Sequence, residues 1–196
     1  CLLLLIASCD QFGESSQEQT PSSPDQVENL LRKVTEYEVA HQDPIAEQGP
    51  SWQLCAFYIG TMEAYKATND ALYHDLALCW VQANNWQYRR PRNADYQCIG
   101  QIYLELHLLN PEPNRINATQ ITFDNILSDP RPGDAAWHWA DALFMAPPVL
   151  SRLTEATGDT TYLDFMSQQF WEASAPLYDS THGLYYSDER YIDCQT

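Results

Sequence analysis

Residues 137 to 148 read Trp137-His138-Trp139-Ala140-Asp141-Ala142-Leu143-Phe144-Met145-Ala146-Pro147-Pro148. One carboxylate, Asp141, stands among two tryptophans, a histidine, a phenylalanine and a methionine. Apolar surroundings disfavour the charged form of a carboxyl and raise its pKa, which suits a proton donor. Flat aromatic faces are also what a sugar ring stacks on. Two readings of Asp141 stay open at this level: a proton-transfer group beside a stacking platform, or a buried carboxyl that caps a helix or accepts from backbone amides.

The elements that must hold this stretch are helical. Proline is tolerated only in a helix's first turn, so the Pro147-Pro148 pair predicts a helix start there, running over 147–157 to the stop at Gly158. Asp141 then lies just before a helix, where loops build sites. Upstream, Asp25 caps a helix over 26–41 with Val27, Leu30, Leu31, Val34 and Tyr37 on one face. An unusually apolar helix follows over 52–67, then one from Asn69 or Asp70 to Asn84, and one over 95–109 that Pro111 and Pro113 close. A short helix over 118–127 and the turn Pro130-Arg131-Pro132-Gly133 lead into the opening stretch. Another helix covers 160–174, and Gly183-Leu184-Tyr185-Tyr186 is a turn into a short extended piece.

The chain repeats itself. Lys66-Ala67-Thr68-Asn69-Asp70-Ala71-Leu72-Tyr73-His74-Asp75 matches Glu155-Ala156-Thr157-Gly158-Asp159-Thr160-Thr161-Tyr162-Leu163-Asp164 at an offset of 89, with Ala, Thr, Asp, Tyr and Asp coinciding. In each copy one helix ends, a short turn passes and the next begins at an acidic cap, the pattern of stacked helical hairpins. Half the offset is ~45 residues, one two-helix unit with its loops. A ring of six such hairpins needs about 270 residues. The chain has 196, starts on Cys1 and stops in an unfinished pattern, so a fragment is expected: an all-α, (α/α)6 toroid incomplete in this chain.

The formal net charge is −17. Phosphate backbones would be repelled, which excludes nucleic acid as a partner, and electrostatic docking on anionic lipid is excluded for the same reason. The apolar run Cys1-Leu2-Leu3-Leu4-Leu5-Ile6-Ala7-Ser8-Cys9 reads as the core of a signal sequence, too short to span a bilayer. Ile6-Ala7-Ser8-Cys9 resembles the bacterial lipoprotein cleavage box. That implies a signal-peptide remnant over 1–8, lipidation at Cys9, a disordered polar tether over 9–24 and a folded domain over 25–196. The product would be an exported lipoprotein, periplasmic or at the cell surface, touching the membrane only through its lipid. The alternative is an ordinary signal peptide that contains Cys9. The cysteines Cys55, Cys79, Cys98 and Cys194 form no C-x-x-C pair and no zinc spacing, so no metal is expected, and no cofactor. An exported protein permits disulfides, while helical positions suit small buried apolar residues.

The run Trp139 to Leu150, continued through Ala156-Thr157-Gly158-Asp159 and Tyr162-Leu163-Asp164, resembles glycoside hydrolase family 105, the unsaturated rhamnogalacturonyl hydrolases, relatives of the unsaturated glucuronyl hydrolases. Phe57-Tyr58-Ile59-Gly60, Ala94-Asp95 with Gly100-Gln101-Ile102-Tyr103-Leu104-Glu105-Leu106, and Gly183-Leu184-Tyr185-Tyr186 support it. The resemblance implies a six-hairpin barrel. It also implies removal of a 4,5-unsaturated uronic acid from the non-reducing end of lyase-generated, pectin-type oligosaccharides. One aspartate protonates ring carbon C4 and assists water at C5; the hemiketal opens and the glycosidic link breaks. By motif position Asp141 is that acid/base. Asp95, Tyr58, Thr61, His138 and Trp139 would contact substrate. Asp95 can equally be a helix N-cap, Tyr58 and Thr61 helix packing, His138 structural and Trp137 core. Arg131 and Arg190 are candidates for meeting the uronate carboxylate, or plain surface charge. The competing readings are a non-catalytic glycan-binding helical lipoprotein and another (α/α)6 enzyme, such as a lyase or epimerase; a lyase would create the double bond that a hydrolase consumes.

Overall fold

In the computed structural model, residues 23–42, 49–129 and 137–192 are described. The signal remnant, Cys9, most of the tether, Arg131, the Pro130–Gly133 turn and Cys194 fall outside them. The chain divides into two compact units, residues 1–41 and 42–196.

In the first unit, α1 spans Pro24–His41. Its start is a capping box in which the Gln26 amide donates to Ser23 Oγ (3.3 Å) and the Ser23 amide to Gln26 Oε1 (3.2 Å). Ser23 therefore takes the role expected of Asp25, which sits in the first turn.

The second unit is built of helical hairpins. The elements are α2 (Trp52–Thr68), α3 (Ala71–Ala83), α4 (Ala94–Gln97), α5 (Ile99–Leu109), α6 (Pro113–Ser128), α7 (Ala142–Met145), α8 (Pro147–Thr157) and α9 (Thr161–Leu177). The strands β1 (Tyr178–Asp179) and β2 (Leu184–Tyr185) form a small antiparallel hairpin. The single helix expected over 95–109 is two, broken at Cys98. Pro113 does not close α5 but opens α6, because a proline in the first turn loses no helical hydrogen bond.

α3 folds back on α2, α6 on α5 and α9 on α8, while α2, α5 and α8 pack side by side. Their pairings climb together. The Cys55 thiol of α2 meets that of Cys98 at the start of α5, and Lys66, further along α2, meets Glu105 further along α5. Gln101 meets Met145, just before α8, and Glu105 meets Arg152 within it. The three helices are thus parallel, with their N-terminal ends at one end of the unit. α5 is the core of the layer, buried without interruption from Ile99 to Leu106.

The repeat is reproduced bond for bond. Asn69 and Gly158 are left-handed (φ 57° and 77°), and each amide closes the preceding helix at 2.7 Å, onto Tyr65 O and Thr154 O. The Thr68 and Thr157 hydroxyls donate 2.7 Å back to Ala64 O and Leu153 O. The Asp70 and Asp159 side chains accept from the amides two residues on, Leu72 (3.0 Å) and Thr161 (2.9 Å). Tyr73 and Tyr162 are both buried.

Close approach of α5 to α8 depends on Gly100. A Cβ there would meet Val149 Cγ1 at 2.6 Å and the Tyr88 hydroxyl as well, the latter held by Thr119 at 3.0 Å. Gly100→Ala is expected to overpack this seam and to cost about 1–3 kcal/mol, read as a lowered Tm in the full-length protein.

Candidate active site

Asp95 and Asp141 enter the structure by the same route. Asp95 lies within α4 and Asp141 immediately before α7, and each of these four-residue helices leads into one of the parallel helices, α5 or α8. α4 packs against α7, so the two carboxylates face each other at the N-terminal end of the layer. Burial, and then the negative charge of Asp141, push the Asp95 carboxyl above the usual carboxylate range.

Neither aspartate is spent as a cap. Asn93 caps α4, its side chain accepting from the Asp95 amide at 3.0 Å. Asp141 occupies the N-cap position of α7, yet its side chain makes no capping hydrogen bond. The capping reading, which sequence left open for both, therefore drops out. The expected surroundings of Asp141 need correction. Asp141 is exposed, as are His138, Trp139 (52%) and Phe144 (51%). The desolvation expected at Asp141 is found at Asp95 instead. The reason is the order of the residues: Trp137, Ala142, Met145 and Ala146 turn into the core, and Asp141 with its aromatic neighbours is left on the outer side of the turn.

Trp139 is fixed as a platform. It forms an antiparallel bridge with Asp188, and the Ala140 amide donates to Ser187 O at 2.9 Å. The Arg190 guanidinium lies over the indole, 5.5 Å from its centroid, and binds Asp188 through Nη2 (2.6 Å) and Nε (3.0 Å). That ion pair holds the Asp188 carboxyl below its ordinary range. Arg190 is thereby placed beside the aromatic platform.

Tyr58 and Thr61 are placed elsewhere. Tyr58 is fully buried, stacked on Trp80 with ring centroids 4.4 Å apart. Burial, with a smaller push from Cys79, moves its phenol up to about 12. The Thr61 hydroxyl donates to Tyr58 O at 2.8 Å. Both side chains are buried in the core. Trp137 is core as well, but its indole N–H donates to Gln97 Oε1 at 3.0 Å, which ties it to the turn that carries Asp95. Sequence reading missed Gln97 and Gln101. A signal was present for the pair itself: Ala94-Asp95 and Ala140-Asp141 are 46 residues apart, close to half the repeat offset of 89.

The arrangement is a half-buried carboxyl beside an exposed one, next to an exposed indole and a guanidinium. It is carried by a fold of stacked helical hairpins. Over residues 24–196 the chain matches Glycosyl Hydrolase Family 88, and it is a member of that family. It is 31% identical over 173 residues to an unsaturated 3S-rhamnoglycuronyl hydrolase of Alteromonas sp. (strain LOR), covering 77% of this chain and 42% of the relative. It is 31% identical over 182 residues to a protein of the same name from Formosa agariphila, covering 85% and 48%. Among solved structures, one described as a polysaccharide lyase superposes with TM-score 0.78 at 27% identity, over 86% of this chain and 51% of that one. A glycosyl hydrolase family 88 protein from Bacteroides vulgatus gives 0.73 at 22% identity, over 84% and 52%. A family 105 glycoside hydrolase of C. acetobutylicum gives 0.63 at 17%, over 85% and 50%. The fold is thus the six-hairpin helical type expected from the repeat, and the chain spans about half the length of the relatives it matches.

The charge coupling is directly measurable. Asp141→Asn removes the repulsion that Asp95 feels, so Asp95 ionises more readily and its carboxyl NMR titration midpoint moves to lower pH. At pH values above that midpoint the variant is also expected to be more stable than wild type, because Asp95 no longer ionises against a neighbouring charge. An unmoved midpoint would show that burial alone perturbs Asp95.

Proposed function

We propose that the full-length protein is a glycoside hydrolase that releases a 4,5-unsaturated uronic acid from the non-reducing end of lyase-generated oligosaccharides. The observation that carries this reading is the facing pair Asp95 and Asp141 beside the exposed Trp139 indole, in a family whose relatives carry that activity in their names. Asp141 is the acid/base. Its exposed carboxyl can reach a ring stacked on Trp139, deliver a proton to C4 and then accept one from the water that adds at C5. Asp95, deeper and perturbed, holds the sugar or that water. His138 adds a hydrogen bond at the rim, and Arg190, held by Asp188, lies over the Trp139 platform on which the sugar would stack. Tyr58 and Thr61 stay with the core.

The names of the relatives place rhamnose next to the uronic acid. A uronyl–rhamnose linkage is common to that name and to a pectin-type rhamnogalacturonan fragment, and the two are separated by the uronic acid supplied. Incubation with unsaturated disaccharides of each kind is expected to bleach the enol-ether absorbance for one of them. Asp141→Asn is expected to slow this by about 10²–10⁴-fold, with binding retained. Absorbance that rises on a polysaccharide, as for the lyase-named neighbour, would turn the assignment around. An intact band with ligand still bound would leave a glycan-binding protein.

The export signal is a separate proposal: lipidation at Cys9 tethers the domain to a membrane surface, supported by the Ile6-Ala7-Ser8-Cys9 box. Cys9→Ser in the full-length precursor is expected to abolish incorporation of labelled lipid and to move the protein from the membrane to the soluble fraction. Unchanged partitioning would remove the anchor.

A further inference from the structure

Two glutamines on the Asp95 side of the site grip the segment that carries Asp141, one at each end. Gln97 is the last residue of α4, two past Asp95. Its Oε1 accepts from the Trp137 indole N–H (3.0 Å) and its Nε2 donates to Pro91 O (2.8 Å). Gln101 lies in the first turn of α5. Its Nε2 donates to Phe144 O (3.1 Å) and Met145 O (3.0 Å), the last two carbonyls of α7, and its Oε1 faces Arg152 Nη1 at 3.5 Å.

Both side chains are almost fully buried, Gln97 at 1% and Gln101 at 3% exposure. A buried amide left without partners carries its full desolvation penalty, so each is held to its bonds. Their orientation is also fixed by chemistry. An indole N–H and a guanidinium only donate, and backbone carbonyls only accept, so flipping either amide would set donor against donor and acceptor against acceptor.

We propose that Gln97 and Gln101 are positioning residues of the active site: together they clamp residues 137–145 at both ends against α4 and α5 and so set the separation of Asp95 and Asp141. The proposal rests on the hydrolase reading above. Neither glutamine touches the place where a sugar would sit. Trp137 is four residues before Asp141, and Phe144 and Met145 are three and four after it, so the turn that bears the acid is suspended between two anchors. Arg152, paired with Glu105 at 3.6 Å, completes the orientation of Gln101 from α8.

Gln101→Glu, Gln101→Met and Trp137→Phe in the full-length protein test this. Glutamate keeps the shape but cannot donate to two carbonyls; phenylalanine keeps an aromatic ring in the core but removes the N–H along with part of the indole, so its effect is read against its Tm. Displacement of a reacting group by about 1 Å costs on the order of 100-fold. We expect kcat to fall about 10- to 100-fold on the unsaturated disaccharide with KM little changed, and the pH profile to shift with it. The groups that face Asp95 among the described residues are the Asp141 carboxylate and, from α2, the Cys55 thiol. In Gln101→Met and Trp137→Phe, which add no charge, the NMR titration midpoint of Asp95 should move to lower pH as the carboxylates drift apart, which a general loss of stability would not produce; the added carboxyl of Gln101→Glu opposes that shift, so that variant is read by kcat alone. Wild-type kcat and an unmoved Asp95 midpoint in the variants overturn the clamp, as does a loss of kcat that merely tracks Tm. A wild-type protein inactive on every unsaturated disaccharide overturns the hydrolase reading, and the Asp95 titration then decides the clamp by itself.

Discussion

Glu105 is the charge on which this layer of helices depends. It sits midway along α5, 6% exposed, in a helix otherwise buried among apolar side chains. A lone carboxylate there would carry a desolvation penalty of several kcal/mol. It is met from both sides, by Lys66 of α2 and by Arg152 of α8. Apolar faces slide past one another with little penalty, because hydrophobic attraction has no direction. A buried charge with two partners on two neighbouring helices does not. The Lys66–Glu105–Arg152 line therefore fixes the height of α2, α5 and α8 relative to one another. Asp95 and Asp141 ride at the ends of α5 and α8, so the same line fixes where they meet. Gln101, one turn above Glu105 and facing Arg152, carries that register up to the site.

The hairpin architecture was legible in the sequence because it is local. Residues 66–75 and 155–164 carry the same Thr, the same acidic cap and the same tyrosine, and the Thr and Asp of each make their turn hydrogen bonds within five residues. Helix starts at Pro147 and stops at Gly158 follow from backbone chemistry alone. Where two local rules compete, sequence chose less well. A proline can end one helix or begin the next, and Pro113 begins α6. Ser23 and Asp25 are both capping residues, and the reciprocal bond with Gln26 decides for Ser23.

The site was legible only in part, for a physical reason. Composition tells which residues are near Asp141 along the chain, not on which side of the turn they fall. Eight of the residues around it are apolar or aromatic, but the inward ones are Trp137, Ala142, Met145 and Ala146, while Trp139 and Phe144 face out. The desolvated carboxyl is Asp95, whose neighbours in sequence, Asn93, Ala94, Tyr96 and Gln97, are a mixture of polar and apolar residues. Its environment comes from packing between α4 and α7, a non-local fact. Gln97 and Gln101 were invisible for the same cause: a glutamine in a helix reads as surface until its partners, Trp137, Phe144 and Met145, are brought to it from 40 or more residues away.

Two carboxylates in one site invite comparison with the displacement glycosidases, but the hydration proposed for this protein is a different reaction. In a displacement pair one group is acid and the other nucleophile or base on opposite faces of the sugar. Here both aspartates come from adjacent parallel helices and project from the same end of the layer, so they approach a bound ring from one side. Hydration of an enol ether is compatible with that one-sided arrangement, since proton delivery at C4 and water at C5 concern neighbouring carbons. Burial, and then the charge of Asp141, resist the ionisation of Asp95. In the proposed reaction, access divides the labour: Asp141 is the exposed carboxyl beside Trp139 and Asp95 the half-buried one. A single exposed aspartate is an ordinary acid; what this fold adds is a second one, held behind it at a distance that α5 and α8 set together.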